Sequence, residues 1–177
     1  MFGSLKVRIL GDPVLRSKAK LVKSVGPVER ILVAALFETM ESHKGVGLAA
    51  PQVGISEQIF IIDTGKDAFA VINPKILRSV GHDSMEEGCL SIPNTHVIVK
   101  RAKSIEVEFR DELDHLVRAK LTGLACRVFQ HEYDHLQGKL IIDYLPLNEQ
   151  KKILKQIKDG HFVPSEKIYD TVDAREI

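Results

Sequence analysis

The spacing of apolar residues along the chain predicts three helices. In residues 28–43, apolar side chains recur every third or fourth position while charged side chains lie outside that stripe, as in an amphipathic helix. The apolar positions that repeat are Leu32, Leu36 and Met40. Residues 122–136, followed by Gly138, and residues 149–158 show the same period. We therefore expect an N-terminal, a central and a C-terminal helix.

Strict alternation of apolar and charged residues predicts an antiparallel hairpin. Residues 104–110 carry acidic side chains on their polar face and residues 116–121 carry basic ones, with a short polar turn between them. Opposed charges of this kind favour cross-strand pairing. Further strands are predicted at residues 58–63, 69–72 and 95–101, and a glycine-punctuated loop at residues 45–54. The pattern predicts an α+β fold of mostly antiparallel β-sheets packed around the central helix.

Length and composition narrow the classes of function. The 177 residues suit a single catalytic domain over residues 1–177, although the tail from His161 onward has no clear period. The formal net charge of +1 argues against a sequence-specific nucleic-acid partner. No apolar run approaches the roughly 20 residues that span a bilayer, and the first fifteen residues do not read as a signal peptide. Two cysteines cannot form a disulfide framework, so we expect a cytoplasmic protein without a membrane partner.

The predicted central helix carries an HExxH pattern at His131, Glu132 and His135. Histidines four residues apart lie on one helix face, so both imidazoles can reach one metal ion, and Glu132 can contact the water on it. Leu124 and Val128 precede them at helical spacing, and we expect this whole stripe to face the core. Two buried imidazoles need partners. A shared metal ion satisfies both, although separate hydrogen-bond partners are an alternative.

A third ligand has two cysteine candidates. Cys126 lies about 140° around the helix from His131 and is expected to be a core residue. Cys89 lies in the segment EGCLS, where Gly88 allows close backbone approach and the thiolate suits Zn²⁺ or Fe²⁺. Taken alone, Cys89 would also be a core residue more often than a ligand. The segment GVGLAAPQ is no P-loop, because no Gly-Lys-Ser/Thr follows it.

The three segments GVGLAAPQ, EGCLS and QHEYDHLQG, in this order, resemble the signature motifs of bacterial-type peptide deformylases. They span residues 45–138, and residues 9–16 (ILGDPVLR) resemble the usual opening of that family. The resemblance implies a metal-dependent hydrolase that removes the N-formyl group from the formyl-methionine of nascent polypeptides and releases formate. It implies work at the ribosome in the bacterial cytoplasm. Fe²⁺ is the implied ion in the cell, with Zn²⁺, Ni²⁺ or Co²⁺ as substitutes.

The resemblance also assigns roles by motif position. The implied metal ligands are Cys89, His131 and His135. Glu132 is implied as general base and then general acid, and Gln52 with the backbone N–H of Leu90 as donors to the developing oxyanion. Gly47 is implied to contact the substrate backbone.

Three apolar residues are expected to bind the methionine side chain. Val46, Leu124 and Val128 would line an apolar slot beside the metal ion. Plain core packing is an almost equally good interpretation of any one of them. The slot therefore depends on all three lying together.

Some positions depart from the family pattern or stay without a role. Relatives often carry Arg where this chain has His96, and Lys100 replaces a common Pro. These changes bear on substrate contacts near the mouth of the site. Arg101 is a candidate partner for Asp134, whereas Arg127 is expected on another face of the helix.

Two rival functions follow from parts of the same pattern. An HExxH metalloprotease that cuts internal peptide bonds would need a distant Glu or a third His as ligand. A structural zinc module would need four protein ligands. The metalloprotease gives the EGCLS segment and Gln52 no role, and the zinc module is disfavoured because Cys126 points away from the histidine face and the sequence has no CxxC.

Overall fold

The computed structural model describes residues 4–159 and contains three α-helices and seven strands in that part of the chain. The helices are α1 (Pro27–Ser42), α2 (Gly123–Leu136) and α3 (Leu147–Lys158). The strands are β1 (Gly47–Ala49), β2 (Ile59–Asp63), β3 (Ala68–Val80), β4 (Asp83–Cys89), β5 (Ile92–Arg101), β6 (Ser104–Arg110) and β7 (Leu116–Thr122). None of the helices within residues 4–159 is long and apolar enough to cross a membrane. The predicted tail from His161 lies outside the described residues.

The strands form two antiparallel sheets, which confirms the predicted α+β fold. The larger sheet has the order β1-β2-β3-β6-β7, and β4 pairs with β5 in a separate two-stranded sheet. The predicted hairpin is β6–β7, where Glu106 lies opposite Lys120 and Glu108 opposite Arg118. Pairing of opposite charges on the outer face therefore accompanies apolar pairing on the inner face.

Strand β2 contributes side chains to two hydrophobic cores, one on each face of the sheet. Ile59 and Ile61 point into a core cluster formed with α1, whereas Phe60 and Ile62 point into a second cluster that contains Phe129 of α2. Because side chains alternate along a strand, one fully apolar strand supplies both cores. Helix α2 thus packs against β1 and β2, and its polar residues Arg127 and His131 contact Glu87 on β4.

Several strand predictions need correction. The predicted loop at residues 45–54 contains strand β1, which pairs with β2, and a 3₁₀ turn at Ala50–Val53. Strand β3 continues past residue 72, because Asn73 adopts a positive φ of 52° and the register shifts between Ile72 and Lys75. This β-bulge lets the strand pass Pro74, which lacks a backbone N–H.

The sequence pattern missed β4 altogether. Five of its seven residues are exposed and most are polar, so no alternation marks the strand. Strand β5 begins at Ile92, three residues before the predicted start. At α2, Thr122 occupies the N-cap position, but its side chain makes no capping hydrogen bond. The other helix boundaries agree with the prediction to within two residues.

Candidate metal centre and active site

Three predicted metal ligands converge between α2 and the end of β4. Cys89 Sγ and one ring nitrogen from each of His131 and His135 lie within 4.8 Å of one another. The Nε2 atom of His135 is 3.3 Å from Cys89 Sγ. The two histidines share a helix face, while the cysteine comes from the end of β4, in a separate part of the chain. The structure therefore brings together a thiol and two imidazoles that can hold one metal ion.

The second cysteine belongs to the core, as predicted. Cys126 is buried, and its thiol donates a hydrogen bond to the carbonyl of Ala102 at 3.4 Å. Burial raises the pKa of the Cys126 thiol. It is therefore a poor candidate for a metal ligand or nucleophile.

A carboxylate that the sequence analysis gave no role orients His131. The Nδ1 atom of His131 lies 3.0 Å from Glu87 Oε2. Burial acts to raise the pKa of Glu87, but hydrogen bonds from His131 and Arg101, together with their charges, lower it to about 2. An ionised carboxylate only accepts hydrogen bonds, so Nδ1 of His131 carries a hydrogen and Nε2 is directed to the cluster. This is the usual arrangement of a metal-binding histidine.

The two histidines differ in their electrostatic surroundings. Burial acts to lower the pKa of His131, but its hydrogen bonds with Cys89 and Glu87 outweigh burial and raise it to about 10. Burial and the charge of His131 lower the pKa of His135 well below its ordinary value. His135 is thus neutral, and its buried Nδ1 has no hydrogen-bond partner among the described residues. His131 would release its extra proton when it binds a metal ion.

Glu132 is a buried carboxyl group beside the cluster. It is 3% exposed, and its Oε2 atom has no hydrogen-bond partner among the described residues. Burial raises the pKa of Glu132 to about 7, although the charges of His131 and Arg101 oppose the change. A carboxyl group with a pKa near neutrality can both accept and donate a proton under ordinary conditions.

Gln52 is held rigidly with its amide nitrogen toward the cluster. Its Oε1 accepts a hydrogen bond from the backbone N–H of Ala49 at 2.8 Å, which fixes the side chain. Its Nε2 lies 3.6 Å from Cys89 Sγ and 3.2 Å from Ser91 Oγ. Leu90, the other predicted oxyanion donor, lies in the turn between β4 and β5 and is half-buried. Both residues therefore flank Cys89.

Gly47 permits the closest approach between β1 and α2. A Cβ atom on Gly47 would lie 2.6 Å from Glu132 Oε1 and 2.6 Å from Val128 Cγ1. Those distances are far below van der Waals contact, so any side chain would displace its neighbours. The predicted substrate-contacting glycine thus lies directly against the buried carboxyl group.

The predicted core-facing stripe of α2 differs from expectation at one residue. Val128 is 6% exposed, as the predicted core-facing stripe requires. The prediction that Leu124 also faces the core is wrong: the residue is 49% exposed, because the start of α2, residues 122–124, is exposed. Val46 is likewise 44% exposed. Exposed apolar side chains thus lie next to Gly47 in the sequence and one helical turn before Val128.

Sequence reasoning placed Arg127 wrongly. Arg127 lies four residues before His131, which places the two side chains only about 40° apart around the helix. Both side chains contact Glu87. That spacing was a usable signal. The suggested pairing of Arg101 with Asp134 is present at 2.9 Å. His96 is exposed beside Gly88, with its ring 3.5 Å from the position that a Cβ on that glycine would take.

The donor set fits a catalytic metal centre better than a structural one. Thiolate and imidazole suit Zn²⁺, Fe²⁺ and related ions, and three protein ligands leave one coordination position for water. Among residues 4–159, no further cysteine, histidine or carboxylate joins the group as a fourth ligand. The buried Glu132 beside it is unpartnered at one oxygen. Two histidines and a buried glutamate on α2, together with a cysteine from β4, define a hydrolase of the HExxH type.

Comparison with known proteins identifies the family. The polypeptide deformylase family model matches residues 4–151. The peptide deformylase of Thermotoga neapolitana is 43% identical over 155 residues, covering 87% of this chain and 94% of that protein. The peptide deformylase of Prosthecochloris aestuarii is 37% identical over 180 residues, covering 98% of this chain and 95% of that protein.

Solved structures agree with the sequence relatives. The crystal structure of peptide deformylase from Thermotoga maritima matches with a TM-score of 0.78 and 46% identity, over 79% of this chain and 96% of that one. The deformylase from Synechococcus elongatus, solved in complex with actinonin, matches with a TM-score of 0.81 and 38% identity, over 90% of this chain and 87% of that one. The chain belongs to the peptide deformylase family. It is a hydrolase that removes the N-formyl group from N-formyl-methionine peptides, which confirms the predicted activity and excludes the protease and zinc-module rivals.

Proposed function

We propose that Cys89, His131 and His135 are the metal ligands of this deformylase and that Glu132 carries out its proton transfers. One observation carries the proposal: Cys89 Sγ at the end of β4 and ring nitrogens of His131 and His135 on α2 lie within 4.8 Å of one another, and α2 also holds the buried Glu132, whose Oε2 has no hydrogen-bond partner among the described residues. A divalent ion held there would polarise the formyl carbonyl and lower the pKa of its water from about 15.7 to about 7. The proton transfers and the stabilisation of the oxyanion are carried out by groups of the protein.

Glu132 serves as base and then as acid. Its carboxylate takes a proton from the water whose oxygen attacks the formyl carbon, and a C–O bond forms. As the C–N bond breaks, Glu132 gives that proton to the departing nitrogen, so that formate and a free N-terminal amine result. The raised pKa of Glu132, about 7, supports this double role.

Gln52 and Leu90 stabilise the charge on the formyl oxygen. The Gln52 amide is fixed by Ala49 and directed at Cys89, so its N–H groups need no reorganisation during the reaction. The backbone N–H of Leu90, the residue after Cys89, is the second donor. Together they flank the carbonyl from the side of β4.

The substrate lies along β1 with its first side chain in an apolar slot. Gly47 has no side chain to block the peptide backbone, which can pair with β1 as an added strand. Val46 and Leu124 offer exposed apolar surface, and Val128 closes the slot between them. An unbranched methionine side chain suits such a slot.

Fe²⁺ is the proposed ion in the cell, with Zn²⁺, Ni²⁺ or Co²⁺ as possible occupants of the same ligands. A site of one thiolate and two imidazoles accepts all four, and intrinsic affinity favours Zn²⁺ over Fe²⁺. Metal supply therefore decides which ion is bound. We further propose that residues 1–177 act as one catalytic domain in the bacterial cytoplasm, on nascent chains at the ribosome. We propose no sequence-specific nucleic-acid or membrane partner.

Formate release tests these assignments directly. Protein loaded anaerobically with Fe²⁺ or with Zn²⁺ is given a formyl-Met peptide, and formate and free amine are measured in parallel. We expect equimolar products with either ion and loss of turnover in Glu132→Gln. Full turnover in Glu132→Gln would refute the proposed proton transfer.

A further inference from the structure

A buried arginine on α2 contacts the carboxylate that orients His131. We propose that Arg127 is a positioning residue of the metal centre, acting through Glu87 to fix the His131 imidazole relative to the strand that ends in Cys89. The inference rests on the proposed metal ligands. It assigns a role to a residue that contacts neither those ligands nor the substrate slot.

Arg127 joins the ligand-bearing helix to both strands of the small sheet. Its side chain is 8% exposed. Nη1 donates to Glu87 Oε1 at 2.7 Å and to the carbonyl of Val99 on β5 at 3.0 Å. Nη2 forms an ion pair with Asp83 at the start of β4. One rigid, planar group thus fixes α2 against β4 and β5 at three points.

The Glu87 carboxylate is fully occupied when Arg127 is present. Oε1 accepts from Arg101 Nε at 2.7 Å and from Arg127 Nη1 at 2.7 Å. Oε2 accepts from Arg101 Nη2 at 2.9 Å and from His131 Nδ1 at 3.0 Å. A carboxylate has about four acceptor positions, so the orientation of Glu87 is determined on every side.

Arg101 cannot replace Arg127. Its Nη1 is already engaged with Asp134 at 2.9 Å and with the Tyr144 hydroxyl at 3.4 Å. Loss of Arg127 would therefore leave Glu87 Oε1 with Arg101 Nε as its one donor among the described residues, and would remove the contact that ties the carboxylate to the helix turn before His131. His131 would lose its fixed ring orientation, because Glu87 is its partner at Nδ1.

A change in the position of Glu87 would also affect Cys89, because the two residues lie close together on β4. Glu87 lies two residues before Cys89 on β4, and Arg127 lies one turn before His131 on α2. The Arg127–Glu87 pair is thus a buried link between the two ligand-bearing segments. Loss of such partners typically weakens metal binding about 10–100-fold.

The test compares metal affinity across matched arginine variants. Zn²⁺ affinity of the full-length protein is measured by competition with a chelator for Arg127→Met, Arg127→Lys and Arg118→Met. Arg118 pairs with Glu108 on the exposed face of β6–β7, so its variant controls for loss of an arginine ion pair. We expect about 10–100-fold weaker binding for Arg127→Met and less than twofold change for Arg118→Met.

Two further readouts separate positioning from general loss of stability. The visible absorption of the Co²⁺-loaded protein should change in Arg127→Met and stay unchanged in Arg118→Met, because it reports ligand geometry. In the double variant with Glu87→Gln, the loss of affinity should be smaller than the product of the two single losses, since both act through one contact.

Clear results would overturn the inference. Arg127→Met with affinity within twofold of the parent, or losses that simply multiply with Glu87→Gln, would show that Arg127 does not act through Glu87. If Arg127→Met does not fold, Arg127→Lys decides: a single ammonium cannot hold Glu87, Asp83 and Val99 together, so parental affinity in it would also refute the proposal. Parental affinity in Cys89→Ser would instead refute the metal centre itself.

Discussion

Replacing Gly47 with alanine should damage activity more than stability. The new Cβ would lie 2.6 Å from both Glu132 Oε1 and Val128 Cγ1, whereas heavy atoms normally approach to about 3.5–4.0 Å. The contacts must therefore open by about 1 Å. Gly47 is not among the positive-φ glycines, so the effect comes from these two contacts and not from backbone strain.

The expected magnitudes follow from that displacement. Overpacking of this kind costs about 1–3 kcal/mol of folding free energy, or a fall in Tm of roughly 2–12 °C for a protein of this size. A catalytic group moved by about 1 Å can lose about 100-fold in rate. We thus expect Gly47→Ala to fold, to melt at a lower temperature and to lose about two orders of magnitude in kcat for formate release.

Two companion variants make the reasoning testable. Gly26→Ala is the matched control, because its Cβ meets only the far end of the Glu29 side chain, at 3.3 Å; it should keep kcat. Adding Val128→Ala to Gly47→Ala removes one of the two close contacts, so Tm should recover more than kcat. Parental kcat and Tm in Gly47→Ala, or a loss confined to KM, would refute the displacement of Glu132.

The remaining predictions concern ligands, base and substrate. Glu132→Gln should keep near-stoichiometric metal, measured by elemental analysis, while kcat falls at least about 10²–10⁴-fold; loss of metal would contradict the assignment. Cys89→Ser should lose metal and activity together, whereas the buried Cys126→Ser should keep both; equal metal loss would contradict the geometry. Acetyl-Met peptides should be far poorer substrates than formyl-Met peptides. Replacing Met by Gly should lower kcat/KM several-fold or more, since one methylene is worth about 1–3 kcal/mol in a fitted pocket; internal peptide cleavage at comparable rates would contradict the substrate assignment.

Local sequence signals predicted the elements whose period is strong. The amphipathic repeat of α1 and the alternation of β6–β7 both survive in the structure because burial of one face decides them. The same signals fail at β4, whose exposed polar residues leave no period. They also fail at β1, whose three residues are all buried, so no alternation marks it, and which is held by pairing with β2.

The site likewise combines features that local sequence predicts with features that depend on long-range contacts. The i, i+4 spacing of His131 and His135 is a property of one helix, so sequence alone puts both on one face. The buried arrangement of Glu87 depends on contacts with Arg101, Arg127 and His131, which are 14, 40 and 44 residues away. No local pattern encodes such pairings.

By itself the sequence determined the family, the predicted ligand residues and the helix that holds two of them. These depend on residue identity and on spacings of a few residues, which the regular geometry of a helix converts directly into position. Only the tertiary structure decided that Cys89 reaches those histidines, that Gly47 touches Glu132, and that Glu87 is held between two arginines. The physical reason is that contacts across the sheets depend on strand order and register, which are fixed by burial of the whole core.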